Sequence, residues 1–343
     1  MTPLEILTAA IKGQAAPRIP IFCNLLDQGA HELGMTQAQY YSKGEYVTEG
    51  QLKMRSRYGY DNVWNLFYVG KEAELLGCQK ILFDDNGSPN VEDFVIKSYD
   101  DIAKFEIPED ITTLPAWIEI ATCQKILHDE VGATHPICAY LTASNTLPTI
   151  LMGMDKWMEL LLTGPVDVRD ELLNKCSDFF RKQVAAYRAA GVDVLIYSAP
   201  FGSPYFVDMR RFHNFSLPWM KRDLLEAGVS GITYYCGMAP FNPVIETVIQ
   251  ELGVTFHYIS PMADLSEAKR IIGTRGLTCG VIDDIKMINW TADQTRADVK
   301  RICEIGKPGG HFLFGTGVMP MAIPEANIRA MLDAAFEYGR YEE

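Results

Sequence analysis

The apolar run 231–236 ends in Tyr234-Tyr235-Cys236-Gly237, and a later run, 311–314, ends in Gly315-Thr316-Gly317. A phenol, a thiol and a hydroxyl placed where extended chain turns over are groups that can pass a proton or bind a metal ion. A thiolate is the metal-binding form of cysteine, and a phenol with a reference pKa of about 10 is a proton donor matched to another departing phenolate. Side chains alternate along a strand, so Tyr234 and Cys236 share one face while Tyr235 turns to the other. The expectation is that Tyr234 and Cys236 face inward, where a substrate would sit. One thiolate alone makes no zinc site, which takes at least three protein ligands.

The surrounding elements have a regular rhythm. Strand-like runs at 192–198, 231–236, 254–259, 277–282 and 311–314 alternate with helical stretches at 217–226, 243–252, 264–272, 293–305 and 325–339. Asp264 is placed to cap the third of these helices. With 18–25, 62–66 and 136–141 added, eight strands are available, and strand–helix alternation implies a parallel sheet. The count and length fit an α/β chain closed as a (β/α)8 TIM barrel, a single domain over 1–343. One excursion breaks the pattern. The runs 78–83 and 91–98 flank Asp84-Asp85-Asn86-Gly87 and predict an N-terminal β-hairpin insertion turning at Asn-Gly, its acidic tip in solvent.

Active groups of such a barrel project from the C-terminal strand ends. That rule selects Asn24, Asp27, Asn65, Thr142 to Asn145, Ser198, Cys236, Ser260, Asp283, Asp284 and Thr316. Aromatic residues near the same ends, among them Phe22, Trp64, Phe67 and Tyr258, could enclose a flat substrate. The histidines show no metal-ligand spacing. His257 falls on the face toward the helices, and His311 opens the last strand at the wrong end of the barrel.

Composition narrows the class further. The chain has 343 residues, 48% hydrophobic and 22% charged, with net charge −13. Lys and Arg are scattered, so no basic stripe exists to neutralise phosphates, and nucleic-acid binding is excluded. No apolar run reaches membrane-span length, and the N-terminus lacks the basic and apolar segments of a signal peptide. Eight cysteines without a Cys-x-x-Cys pair point to free thiols in a reducing cytoplasm.

The order and spacing of several further pieces carry a resemblance over nearly the whole chain. These are Tyr58-Gly59-Tyr60-Asp61, Glu72-Ala73-Glu74-Leu75-Leu76-Gly77-Cys78, Ala190-Gly191-Val192-Asp193, Gly280-Val281-Ile282-Asp283 and Ile323-Pro324-Glu325-Ala326-Asn327. Together they resemble the uroporphyrinogen decarboxylase superfamily, and more closely its corrinoid-dependent methyltransferase branch. In that branch the first motif usually reads His-x-Cys-Gly and the second Gly-Cys-Gly, and the three ligands hold a zinc ion that binds a thiol acceptor. Here Tyr234 and Thr316 stand for the first and third ligands, and only Cys236 is retained, so zinc is left open. The decarboxylases carry an arginine-rich stretch for the porphyrinogen carboxylates. The corresponding Ile21-Phe22-Cys23-Asn24-Leu25-Leu26-Asp27-Gln28 has none, although bidentate carboxylate pairing calls for guanidinium groups.

The resemblance therefore implies a methyltransferase working in the demethylating direction. It would move a methyl group from a methylated small molecule, in the main reading an aryl methyl ether, to the cobalt of cobalamin. No Asp-x-His-x-x-Gly motif is present, so the corrinoid would arrive on a separate protein docking over the barrel mouth. Tyr234 is then expected as proton donor, with Cys236 and Asp283 as catalytic neighbours. Asn24, Asn65, Ser198, Tyr258, Asp284 and Thr316 are expected around the substrate. The alternatives are a decarboxylase or lyase acting on a small acid, and a non-catalytic barrel that binds a corrinoid or tetrapyrrole.

Overall fold

A computed structural model describes residues 1–84 and 87–341 of the chain. Among them are nine strands: β1 (Val63–Trp64), β2 (Ile81–Leu82), β3 (Asn90–Val91), β4 (Ile137–Thr142), β5 (Val194–Ser198), β6 (Ile232–Tyr235), β7 (Phe256–Ile259), β8 (Leu277–Val281) and β9 (Phe312–Gly315). Seven of them form one parallel sheet in the order β1-β4-β5-β6-β7-β8-β9. The extended segment 20–24 closes this sheet as an eighth stave. On one side it bridges to β9 through Ile21 and Phe314 and to Val318 through Asn24. On the other, the Asp61 N–H donates to the Ile21 carbonyl at 2.9 Å. The curled sheet is that of a TIM-like barrel.

Side chains secure that seam where the backbone ladder is short. Arg18 donates to both oxygens of Asp61, at 2.5 and 2.6 Å. Asp61 also accepts the Ile21 N–H at 2.7 Å, and Asn62 Oδ1 accepts the Cys23 N–H at 2.9 Å. A bidentate guanidinium–carboxylate pair fixes orientation as well as distance.

Helices cover the sheet: Val166–Ala189, Leu217–Ala227, Leu265–Ile272, Ala292–Gly306 and Glu325–Tyr338. Asp264 caps its helix as expected, accepting the Glu267 N–H at 3.0 Å. The stretch expected as a helix at 243–252 is instead a chain of short 3₁₀, α and π turns, stopped at Gly253 with φ 71°. Among the described residues no helix is long and apolar enough to cross a membrane. All eight cysteines are buried free thiols.

The two faces of the staves are told apart by their neighbours. The Tyr197 ring packs edge-on against Phe180 of the helix Val166–Ala189, 5.2 Å between centroids, so Tyr197 points to the helix layer. Register carries that face across the sheet through Tyr234, His257, Thr278 and Phe312. The inward row is one residue on: Ser198, Tyr235, Tyr258, Cys279 and Leu313.

The excursion is shorter than expected. β2 and β3 pair antiparallel over two residues each, Ile81 with Val91 and Leu82 with Asn90. Asp85 and Asn86, where the turn is expected, lie outside the described residues. The Glu92 N–H still donates to the Lys80 carbonyl at 3.0 Å; beyond it the chain leaves the pair, and the Ile96 N–H donates to the Leu151 carbonyl at 2.9 Å. Ser88 is tied to the barrel, its hydroxyl donating to Asp27 Oδ2 at 2.6 Å.

Replacing Asp61 by Ala leaves Arg18 without its carboxylate partner and the Ile21 N–H without its acceptor at the seam. Loss of one member of a buried pair costs about 3–5 kcal/mol. Urea unfolding of Asp61→Ala should show a loss in that range, and a change within experimental error would mean that the seam does not depend on this carboxylate.

Candidate active site

Where the inward row reaches the C-terminal strand ends, four side chains share the barrel mouth: Asp284, Tyr235, Tyr140 and Asn24. Asp284 is the first residue of the short helix Asp284–Met287 that follows β8. Burial, and next the charge of Asp283, push its carboxyl up to about 7, while N–H groups of Ile285 and Gly317 pull it the other way. A carboxyl so placed is about half protonated near neutral pH, a state suited to general-acid work.

Gly317 makes the arrangement possible. A Cβ there would lie 2.7 Å from Asp284 Oδ2 and 3.6 Å from the Tyr235 hydroxyl. Without a side chain at 317, both groups reach the same space. The Tyr235 ring lies edge-on to Tyr140 at 6.1 Å and to Tyr258 at 6.0 Å. Tyr140 in turn stacks on Trp64 at 5.0 Å and Phe67 at 4.7 Å. Asn24 Nδ2 donates to the Tyr140 hydroxyl at 3.4 Å, which leaves that hydroxyl's own proton free to point onward. Burial, and then the Asp284 charge, raise the Tyr235 phenol, so it stays protonated and donates. The mouth is thus an aromatic enclosure with an acid and two phenols.

Tyr234 and Cys236 share a face, as alternation requires, but it is the helix-facing one, so the expectation that they face inward is corrected. The Tyr234 ring sits among Phe241, at 5.1 Å, and Tyr197, at 6.2 Å. Its hydroxyl approaches Met220 Sδ at 3.9 Å. The Cys236 thiol is directed at the Ala199 carbonyl, 3.7 Å away, and burial pushes it up to about 12. His257 lies on the same outer face, as expected, and burial lowers its imidazole to about 3. His311 precedes β9 at the opposite end of the barrel, packed against Gly13.

The other expected site residues divide. Asn24, Asp284, Tyr258 and Ser198 belong to the inward set, with Ser198 only partly buried. Asn65 turns away, its amide donating to Gln124 Oε1 at 3.1 Å in the helix layer. Thr316 is committed on both sides, accepting the Asn24 N–H at 2.9 Å and donating to the Gly317 carbonyl at 2.9 Å. Asp283 caps the short helix, accepts the Lys286 N–H at 3.0 Å and pairs with Lys286 Nζ at 2.8 Å. Asp27, also a strand-end residue, accepts hydrogen bonds from Tyr41 and Ser88. Tyr235, Tyr140 and Gly317 are not among the site residues expected from the sequence. The phase of the inward row was the missing signal.

Zinc does not fit here. Cys236 is a buried, protonated thiol pointing at the helices, and no three His, Cys, Asp or Glu side chains among the described residues are grouped to hold a metal ion. The position expected to complete such a site, 316, carries a threonine whose hydroxyl is already used twice.

Comparison with known proteins agrees with this architecture. A family model described as uroporphyrinogen decarboxylase (URO-D) matches residues 2–338. No curated protein matches the chain. Among solved structures, a methyltransferase from Methanosarcina mazei is 20% identical, with a TM-score of 0.83 over 98% of this chain and 99% of that one. A B12-independent methionine synthase from Shewanella sp. W3-18-1, in complex with selenomethionine, is 13% identical, with a TM-score of 0.52 over 86% of each chain. At these identities the likeness is one of fold.

The Asp284 carboxyl has a sign that can be measured. Its folded-state value is raised above the ordinary 3.8 to about 7, so it weakens the fold progressively as pH rises from about 4 to 7. Asp284→Asn abolishes that dependence. The melting temperature of the variant minus that of the wild type should therefore rise between pH 4 and pH 8 in calorimetry, and a flat difference would mean that the carboxyl is not held protonated.

Proposed function

The chain belongs to the uroporphyrinogen decarboxylase family, and from that premise we propose that it is a methyltransferase acting as a demethylase. It moves a methyl group from an aryl methyl ether to the corrinoid of a separate protein. The carrying observation is Asp284, a carboxyl raised to about 7 at the aromatic mouth of the barrel, beside the Tyr235 hydroxyl and over Gly317.

An aryl methyl ether is a poor methyl donor because a phenolate must leave. A proton delivered to the ether oxygen as the carbon–oxygen bond breaks turns that group into a neutral phenol. Asp284 is placed for this role. Tyr235, a protonated phenol sharing the space above Gly317, holds the same oxygen by a second hydrogen bond. Tyr140, oriented by Asn24, and Trp64 and Phe67 behind it form the apolar wall for the ring. The corrinoid, carried on its own protein, would supply the nucleophilic metal centre that accepts the methyl group. Exposed apolar side chains follow three of the strand ends: Tyr205 after β5, Met262 after β7 and Ile285 after β8. Their places after C-terminal strand ends support a protein that covers the mouth, since exposed apolar side chains favour contact with a partner. The absence of arginine from 21–28 favours this substrate class over a polycarboxylate.

Turnover assays test the proposal. With a reduced corrinoid protein and methoxylated aromatics, the enzyme should release the free phenol. Asp284→Asn should lower that rate by about 10²–10⁴-fold, the range of general-acid assistance, and the wild-type rate should fall as pH rises through about 7. Tyr234→Phe should keep the wild-type rate, because that hydroxyl faces the helices. No phenol from any methoxylated aromatic refutes the proposal. Carbon dioxide release from a small acid without corrinoid would favour the decarboxylase reading instead.

A further inference from the structure

Outside the barrel mouth, a groove of about 880 Å³ runs beside the β2–β3 arm and the start of the helix Pro115–Val131. That volume is in the range of pockets for drug-sized organic molecules. One wall is aromatic. The Tyr68 ring lies 5.0 Å from Tyr41 and 5.6 Å from Phe83, both edge-on. Leu114, Pro115 and Ala116 add apolar lining.

Lys71 lies on this lining with its side chain only 4% exposed. An ammonium has three donors. Among the described residues this one has a single hydrogen-bond partner, Glu74 Oε2 at 3.2 Å, and lies 5.4 Å from the centroid of the Tyr68 ring. The Tyr68 hydroxyl is already given to Glu74. Among the described residues the remaining ammonium donors have no acceptor, and a buried donor without one is costly. Burial correspondingly lowers the Lys71 amine below its ordinary range.

The charges around the groove select the ligand. Glu74, Glu92 and Glu119 line it together with Lys71 and Lys80. Three carboxylates disfavour an anion, and the buried ammonium disfavours a cation beside it. What remains is an uncharged molecule with an acceptor for the ammonium and a flat apolar body for the rings.

We propose that this groove is a second ligand site, taking an uncharged planar aromatic that carries an oxygen acceptor. The ring lies along Tyr68 and Phe83, and the oxygen accepts from Lys71 Nζ. The wall residue Tyr41 donates to Asp27, which also holds Ser88, so the groove shares a hydrogen-bonded wall with the strand-end region.

Fluorine NMR of 4-fluoroacetophenone titrated into the full-length protein tests this without reference to turnover. A saturable component distinct from binding at the barrel mouth is expected in the wild type and, unchanged, in Asp284→Asn. Lys71→Met should weaken it at least tenfold. Ala38→Trp, which fills the groove from an exposed position, should do the same and carries the test if Lys71→Met does not fold. 4-Fluorobenzoate should bind at least tenfold more weakly than the ketone. Absence of saturable binding, binding unchanged by Ala38→Trp, or equal binding of the benzoate would overturn the proposal.

Discussion

Asp61 accepts two guanidinium bonds from Arg18 and the N–H of Ile21, and through them the segment 20–24 is held between β1 and β9. Everything at the mouth depends on that closure. Asn24 reaches Tyr140 only because its segment is a stave of the barrel, and Thr316 can bond the Asn24 backbone only across the same seam. Closure also settles which residues are inside. In a closed sheet every stave has one face toward the axis, and register transmits that phase from strand to strand, so the whole inward row is set together.

Much of the architecture was legible because it rests on local chemistry. β-branched and apolar runs of four to six residues mark staves, and Asp264 and Gly253 stop or start helices for reasons that lie within a turn of chain. Parallel strands buried on both faces, however, read as continuous apolar runs, with no polar residue to mark the outer side. Val194 to Tyr197 are all buried, and so are Ile232 to Tyr234. Along Tyr234-Tyr235-Cys236 the alternation was therefore recognisable while its phase was not. Asp284 stood on the strand-end short list, yet its raised carboxyl depends on burial and on Asp283 together, which only the folded chain brings about. Gly317 carried no signal at all, since its importance is the room it leaves for residues 33 and 82 positions away in the chain.

The mouth combines two opposing demands. A proton donor near neutral pH needs a desolvated carboxyl, and desolvation alone would drive it too far. N–H groups from Ile285 and Gly317 moderate the shift, and Asp283 is kept paired with Lys286 at the surface. The aromatic rings behind Tyr140 provide the low-polarity surroundings without adding charge. The outer face shows the contrary case: Tyr234, Cys236 and His257 are ionisable groups used as packing, each held in its neutral form by burial.

The eight buried thiols described with the fold give the molecule a built-in clock. Cys23, Cys138 and Cys279 are on staves or the closing segment, Cys123, Cys176 and Cys303 lie in the covering helices, and Cys78 and Cys236 lie at loop ends. Cys78 lines the groove beside the β2–β3 arm, but a reagent in solution meets none of the other seven until the chain around it parts. The order in which they become modified would therefore chart, layer by layer, how the barrel breathes.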